Sequence, residues 1–421
     1  MREIAVRRVI RPSEIGVLTR KFLLLLVPLA LFAQVEIDTV MRVPTHVANG
    51  CFLPELNKLY VLGVYQHYAL DCSTYQLRAQ IPRSHYEGIG SYSWNWRRQK
   101  LYVGVNPYPD SLAVIDAVAD TLMRMIPRCG LASAYVGSTD RLYRGVDHDL
   151  VAIDCATDTV VRTIPPPESA YVFSAPSWDP VGNKLYIAED ADSRIQVLDC
   201  NTDSVVKVIT SNIGAPSSLC YEPGGNKVYV SNGNSWSISV IDCSRDTVVK
   251  TLPVGQTPRA LALSPASRKL YCANFGQYPN YDTTVSVTDI DRDSVIRTIG
   301  VGMEPGYTMC YNPTTDKMFV GTGHWGGSAL AVICCSDDRV IKRMQVPGKF
   351  WESAVLPSAN KLYLPSEDGR SVSVVQDSAF VGLEERPMTG APFLMARSSI
   401  LTILAAWASP NEPPSTVASW A

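Results

Sequence analysis

Apolar residues along this chain gather in short runs separated by short polar turns, and no segment of the body keeps the 3.6-residue rhythm of an amphipathic helix. The runs are rich in Val, Ile, Thr and Tyr, which fit a pleated, half-buried surface. Residues 203–252 show one unit clearly. Strands are predicted near Pro216–Tyr221, Lys227–Ser231, Ser237–Ile241 and Thr247–Leu252. Turns fall at Glu222–Asn226, Asn232–Ser235 and Cys243–Arg245. Asp and Ser or Thr belong in such turns because their side chains bond nearby backbone N–H groups.

This unit recurs. A basic, an aliphatic and an aromatic residue mark each copy, beginning at Lys58, Lys100, Arg141, Lys184, Lys227, Lys269, Lys317 and Lys361, with spacings of 42, 41, 43, 43, 42, 48 and 44. After each of the first seven comes an apolar run, usually ending in Asp, then a tight turn and an Asp-Thr/Ser strand. Val151 to Ile164 and Ser239 to Leu252 are clear copies. Four short strands repeating at 40 to 45 residues are the signature of propeller blades. The expected fold is all-β: a single β-propeller of four-stranded blades over residues 35–378. Eight blades are predicted, or seven if the unit around Arg141 is not a full blade. The last unit lacks a fourth strand, and Ile37 to Val43 matches the missing one. An N-terminal strand completing the last blade would close the ring and cover both sheet edges.

The Lys-Leu-Tyr-Val, Val-Ile-Asp and Asp-Thr-Val-Val-Lys-Thr segments resemble the YVTN-type β-propeller repeat of bacterial and archaeal exported and surface proteins. Tyr271-Cys272-Ala273-Asn274 and Tyr229-Val230-Ser231-Asn232 are the nearest matches, and Gly255-Gln256-Thr257-Pro258 resembles that family's blade-linking segment. The resemblance implies a secreted or surface propeller and says little about chemistry. Asn106-Pro107-Tyr108-Pro109 and Tyr92 to Trp96 depart from the pattern.

The ends differ from the body. Arg20-Lys21 precede an apolar stretch, Phe22 to Ala33, too short to span a bilayer and suited to a signal-peptide core. Residues 1–33 therefore read as a signal peptide with an over-long leading segment, translation being expected to begin near Val17 or Leu18. The chain is then exported, to the periplasm, the medium or the cell surface, with no transmembrane anchor. Residues 379–421 read as a linker and disordered tail, or the remnant of a C-terminal sorting or anchoring segment.

Composition narrows the function classes. Apolar residues make up 46% of 421 and charged residues 19%, with a formal net charge of −2. That balance gives no electrostatic footprint for nucleic acid. Most of the eleven cysteines occupy repeat-equivalent positions, as Cys72, Cys155, Cys200, Cys243 and Cys335 do. Such sites on neighbouring units stand too far apart to bridge, so they read as small buried hydrophobes.

No assembled catalytic motif is present: no metal-binding His pair, nucleophile elbow, phosphate loop or dinucleotide fingerprint. Neither a metal nor a cofactor is expected. Asp147-His148-Asp149 reads as a solvated loop. Asp289 to Asp293 alternates acids like a calcium loop but lacks its later Gly and Glu, and its acids recur as turn residues. The variable positions lie in the loops after the Lys-Leu-Tyr strands, where ligands commonly bind on propellers. Candidate binding residues there are His67, Tyr108, Trp236, Phe275, Tyr278, Tyr281, His324 and Trp325. Exposed loop aromatics stack on sugar rings or anchor a protein. The expectation is a monomeric, non-enzymatic binding or scaffold propeller for a protein or carbohydrate ligand at the cell surface. The alternative is a propeller enzyme, such as a lactonase, lyase or quinoprotein-like dehydrogenase, with its site in the central funnel.

Overall fold

The computed structural model describes residues 35–44, 47–63, 66–82, 92–105, 111–127, 133–146, 149–165, 173–277, 280–302, 304–323, 327–350, 354–356, 360–366 and 370–377. They form eight four-stranded antiparallel sheets. Blades 1 to 7 span residues 47–82, 92–127, 133–164, 173–209, 216–253, 258–300 and 305–350; blade 8 combines 354–377 with 35–42. The unit around Arg141 is a full blade, Ser133–Val136 through Thr159–Ile164. The expected count of eight holds. The first strands of the blades touch their neighbours all round the ring, so they are innermost.

Closure follows the expected route. The N-terminal strand Val35–Arg42 pairs antiparallel with Ser371–Asp377, placing Ile37 opposite Val375 and Met41 opposite Val372. The signal-peptide and tail readings fall outside the described residues.

Second and third strands are buried on both sides, which is why Leu-Tyr-Val and Val-Ile runs occupy them without alternation. Outermost strands such as Thr159–Ile164 turn several residues to solvent. Among the described residues, the buried apolar side chains form eight clusters, one per seam between blades. The seam between blades 1 and 2 holds Leu53, Tyr60 and Leu62 against Leu101, Val103 and Ile115. That between 8 and 1 holds Met41, Tyr363 and Val374 against Leu59, Tyr68 and Leu70. The repeated cysteines lie in these seams. Burial pushes the Cys72 thiol up to about 11 and those of Cys155, Cys200 and Cys243 up to about 12, so they stay protonated packing groups.

The repeat markers act between blades. In each of six seams the basic residue and the tyrosine of one blade meet an Asp in the third-to-fourth-strand turn of the next. Lys100 Nζ lies 2.6 Å from Asp158 Oδ2 and the Tyr102 hydroxyl 2.7 Å from Oδ1. Lys184 and Tyr186 meet Asp246, Lys227 and Tyr229 meet Asp293, and Lys269 and Tyr271 meet Asp338. Lys58 and Tyr60 meet Asp120, and Arg141 and Tyr143 meet Asp203. Each acceptor Asp has positive φ, between 48° and 58°, a conformation that Asp tolerates better than most side chains. The charges on the outermost strands add to this: Arg124, Lys250 and Arg297 donate to the Thr157, Arg292 and Asp337 carbonyls of the next blade.

The Asp four residues earlier in that turn has a separate task. Asp154 Oδ1 accepts from the Ala156 and Thr157 N–H groups at 2.9 Å, and Asp71 and Asp289 repeat the pattern. In the Asp289 segment, Asp291 pairs with Arg268 and Asp293 with Lys227, so its three acids serve the turn and the seam. The turn N–H groups of Thr74, Thr157 and Arg292 hold the Asp71, Asp154 and Asp289 carboxyls below the usual carboxylate range. A depressed folded-state pKa contributes stability above the unfolded value, near 4, and loses it as pH falls through the folded one. The melting temperature is therefore expected to stay level from about pH 7 to 5 and to fall below about pH 4. Loss of stability already at pH 6 would contradict this.

The closing seam departs from the rule. Tyr75 stands at the acceptor position, with φ 59°; its hydroxyl accepts from Lys361 and donates to Asp38 of the N-terminal strand at 2.5 Å, and Lys361 also meets Asp38 at 3.2 Å. The buried Tyr363 hydroxyl lies against the Cys72 thiol rather than a carboxylate. Tyr75→Asp relieves a bulky left-handed residue, but it removes these bonds and the Tyr75 ring packed on the seam and brings a second carboxylate beside Asp38. It is expected to destabilise the chain by about 1 kcal/mol in urea unfolding. A net gain would show that relief of the left-handed tyrosine outweighs these contacts.

Candidate functional site

Antiparallel topology sorts the connections onto two faces. Turns joining first to second and third to fourth strands lie on one face, with the Lys, Tyr and Asp groups just described. The second-to-third-strand hairpins and the blade-to-blade connections lie on the other, the loop face.

Blades 4, 5 and 6 carry a polar clamp at the hairpin base of the loop face. In blade 5, Asn232 Nδ2 donates to Ser239 Oγ at 2.8 Å, and Asn232 Oδ1 accepts the Gly214 N–H of the incoming connection at 3.1 Å. In blade 6, Asn274 donates to Thr284 and Ser286 at 3.0 Å, and the Gln256 N–H of the connection donates to Asp282 at 3.1 Å. A Cβ on Gly255 would meet the Asn274 amide at 2.5 Å, so only glycine lets the chain lie against this clamp. In blade 4, Glu189 takes the Asn place, and Arg194 and Gln196 both donate to its carboxylate. Burial raises the Glu189 pKa while Arg194 opposes it. Of the two Asn that carry the YVTN likeness, Asn232 anchors the connection directly, while Asn274 braces the hairpin whose Asp282 and Ser286 hold it.

The candidate residues do not form one site. Tyr108, Tyr278, His324 and Trp325 lie outside the described residues, as do Asp147 and His148 of the acidic triplet. His67 corrects the loop expectation: it sits inside the strand Gln66–Asp71, opposite Leu62 and Ile81, and is 1% exposed. The strand begins earlier than the aromatic run suggests, turning His67 into the seam toward blade 2. Phe275 and Tyr281 are also in strands rather than a loop. The extra residues of this unit lengthen the hairpin, Lys269–Gln277 with Asn280–Asp289, keeping Gly276 opposite Tyr281. The two half-buried rings pack edge to face, centroids 5.8 Å apart, with the Arg259 guanidinium 6.0 Å from the Phe275 ring. Trp236 is where it was expected, in a loop-face turn and 42% exposed.

Two open clefts occupy equivalent places on the face. One, about 310 Å³, is lined by Asn212, Ile213, Ser235, Trp236, Ser237, Thr251 and Pro253 of the blade 4–5 connection and blade 5. The other, about 370 Å³, lies between the blade 6–7 connection and blade 7, where Arg343 donates to the Gly300 and Val301 carbonyls. Sequence reasoning missed Arg144, fully buried in the second strand of blade 3. Aligning the repeats would have found it, since Val61, Val103, Ile187 and Val230 hold the same position. Among the described residues no group of three or more His, Cys, Asp or Glu is placed to hold a metal ion, and no helix is long and apolar enough to cross a membrane.

No protein-family model matches the chain, and no curated protein matches its sequence. The YVTN-type likeness therefore rests on local residues. Solved structures do match: 1726 chains share the likeness, a breadth that speaks for architecture and not for a ligand. One is a dihydro-heme d1 dehydrogenase, NirN, in complex with DHE, with a TM-score of 0.59 and 14% identity. The alignment covers 72% of this chain, which spans 66% of NirN. At that identity the likeness concerns the fold, and the chain is an eight-bladed β-propeller similar in architecture to that enzyme.

Proposed function

We propose that this chain is an exported, non-enzymatic binding propeller that captures a protein or carbohydrate ligand on its loop face. The observation that carries this reading is the division of labour between faces. The repeated Lys, Tyr and Asp side chains fasten one face, while the other presents an exposed Trp236, an aromatic hairpin and two open clefts. Aromatic groups on a rigid scaffold suit recognition. The apolar stretch Phe22 to Ala33 after Arg20-Lys21 supports export.

A propeller enzyme is the second reading, favoured by the dehydrogenase named for the solved neighbour. One screen separates them: pull-downs of glycans and cell-surface proteins with the full chain, beside metal and absorbance analysis of the purified protein. The binding reading expects selective capture by a preparation without stoichiometric metal or chromophore. A bound chromophore with turnover, and no capture, would replace it with the enzyme.

A further inference from the structure

We infer that the cleft beside Trp236 is a subsite for a neutral sugar ring. This deepens the binding reading above and rests on it. Three observations converge. First, the lining has the composition that a sugar needs. Trp236 supplies a large apolar aromatic surface, Ile213 and Pro253 add apolar area, and the exposed Asn212, Ser235 and Thr251 offer amide and hydroxyl groups that both donate and accept, with the buried Ser237 hydroxyl bonded to Ser235 behind them. Pyranose rings present the same combination: an apolar C–H face for stacking and a rim of hydroxyls that donate and accept. No lining residue is charged, so nothing there compensates a uronate, a phosphate or an ammonium group. A volume of about 310 Å³ is at the small end for ligand sites.

Second, the turn does not need its tryptophan. Trp236 has φ 49°, and the corresponding turn positions in blades 4 and 8 carry Ser193 and Arg370 at φ 50° and 46°. The turn demands a left-handed residue, for which Asn or Gly is the relaxed choice, and a bulky aromatic there is strained. Strain of this kind gathers at ligand clamps.

Third, the cleft walls are held before a ligand arrives. The Val254 N–H donates to the Trp236 carbonyl at 3.0 Å, and the Ser239 hydroxyl donates to the carbonyl of Asn212, itself left-handed at φ 58°. Pre-organised walls lower the entropy cost of binding.

The test labels the full chain with 5-fluorotryptophan, the Trp236 resonance being the one missing in Trp236→Asn. Neutral mono- and disaccharides, the matching uronic acids and a peptide library are titrated in turn. Neutral sugars should move this resonance saturably, uronic acids at least tenfold more weakly, and Thr251→Val should weaken the response several-fold. Trp236→Asn should abolish sugar capture while its melting temperature holds or rises by about 1–2 °C. A merely structural tryptophan would instead lower it. Sugar capture that persists in Trp236→Asn overturns this site and leaves the binding reading standing. A resonance moved by peptides and not by sugars assigns the cleft to protein and overturns the sugar. A resonance moved by neither overturns the subsite, and pull-down by the same chain then decides separately whether the binding reading fails.

Discussion

Met41→Asp is expected to cost more than about 3 kcal/mol, and removal of residues 1–42 to abolish cooperative unfolding. Met41 is 3% exposed, in the seam between blades 8 and 1 with Tyr68, Tyr363, Val372 and Val374. A carboxylate there is buried among apolar groups in place of the thioether. Truncation does more. It strips the pairing partner of Ser371–Asp377, exposes a Val-rich edge, and takes Asp38 from Lys361. An uncovered edge of that kind pairs with other chains. Urea unfolding followed by tryptophan fluorescence, with light scattering for aggregation, measures both. A truncated chain with the midpoint of the full chain would show that the ring does not depend on this strand.

The second large effect belongs to the seam carboxylates. Asp338→Ala is expected to cost about 3–5 kcal/mol. It leaves the Lys269 ammonium and the fully buried Tyr271 hydroxyl without the acceptor they share at 2.9 and 2.8 Å. Lys269 keeps the Cys335 carbonyl at 2.8 Å, which does not neutralise its charge. Lys269→Met beside Asp338→Ala should recover much of the loss, because removing both charges removes the unpaired one. Arg292→Ala provides the contrast. Its pair with Asp289 sits on a side chain 79% exposed, and its loss should cost less than about 0.5 kcal/mol. Equal losses for Asp338→Ala and Arg292→Ala would refute the fastening role of the repeat.

The fold was largely legible because its signals are local and recur. Each Lys-Leu-Tyr group marks one second strand, each Asp-Thr strand one outer strand, and the unpaired Asp38-Thr39-Val40 segment one missing partner. The fastening was not legible in that way. Lys100 and Asp158 stand 58 residues apart, and nothing local tells a turn Asp that bonds its own backbone from the Asp four residues on that reaches the next blade. Positions near strand ends were the least legible. His67 lies one residue inside its strand, where a single place separates the half-buried Gln66 from a fully buried position. Phe275 and Tyr281 looked like loop residues because the insertion lengthens the unit. An insertion in an antiparallel hairpin can extend the ladder instead, and here it does. Trp236 was legible as exposed. Its left-handed backbone was not, since Asn or Gly is the residue that announces that conformation.

Backbone amide hydrogen exchange of the full chain tests ring closure most directly. If Val35–Arg42 is the outermost strand of blade 8, its paired amides and those of Ser371–Asp377 exchange as slowly as the central strands of other blades. In a chain lacking residues 1–42, the amides of Ser371–Asp377 that faced that strand lose their protection. Rapid exchange of Val35–Arg42 in the full chain, at the rate of an unpaired segment, would contradict the closed ring.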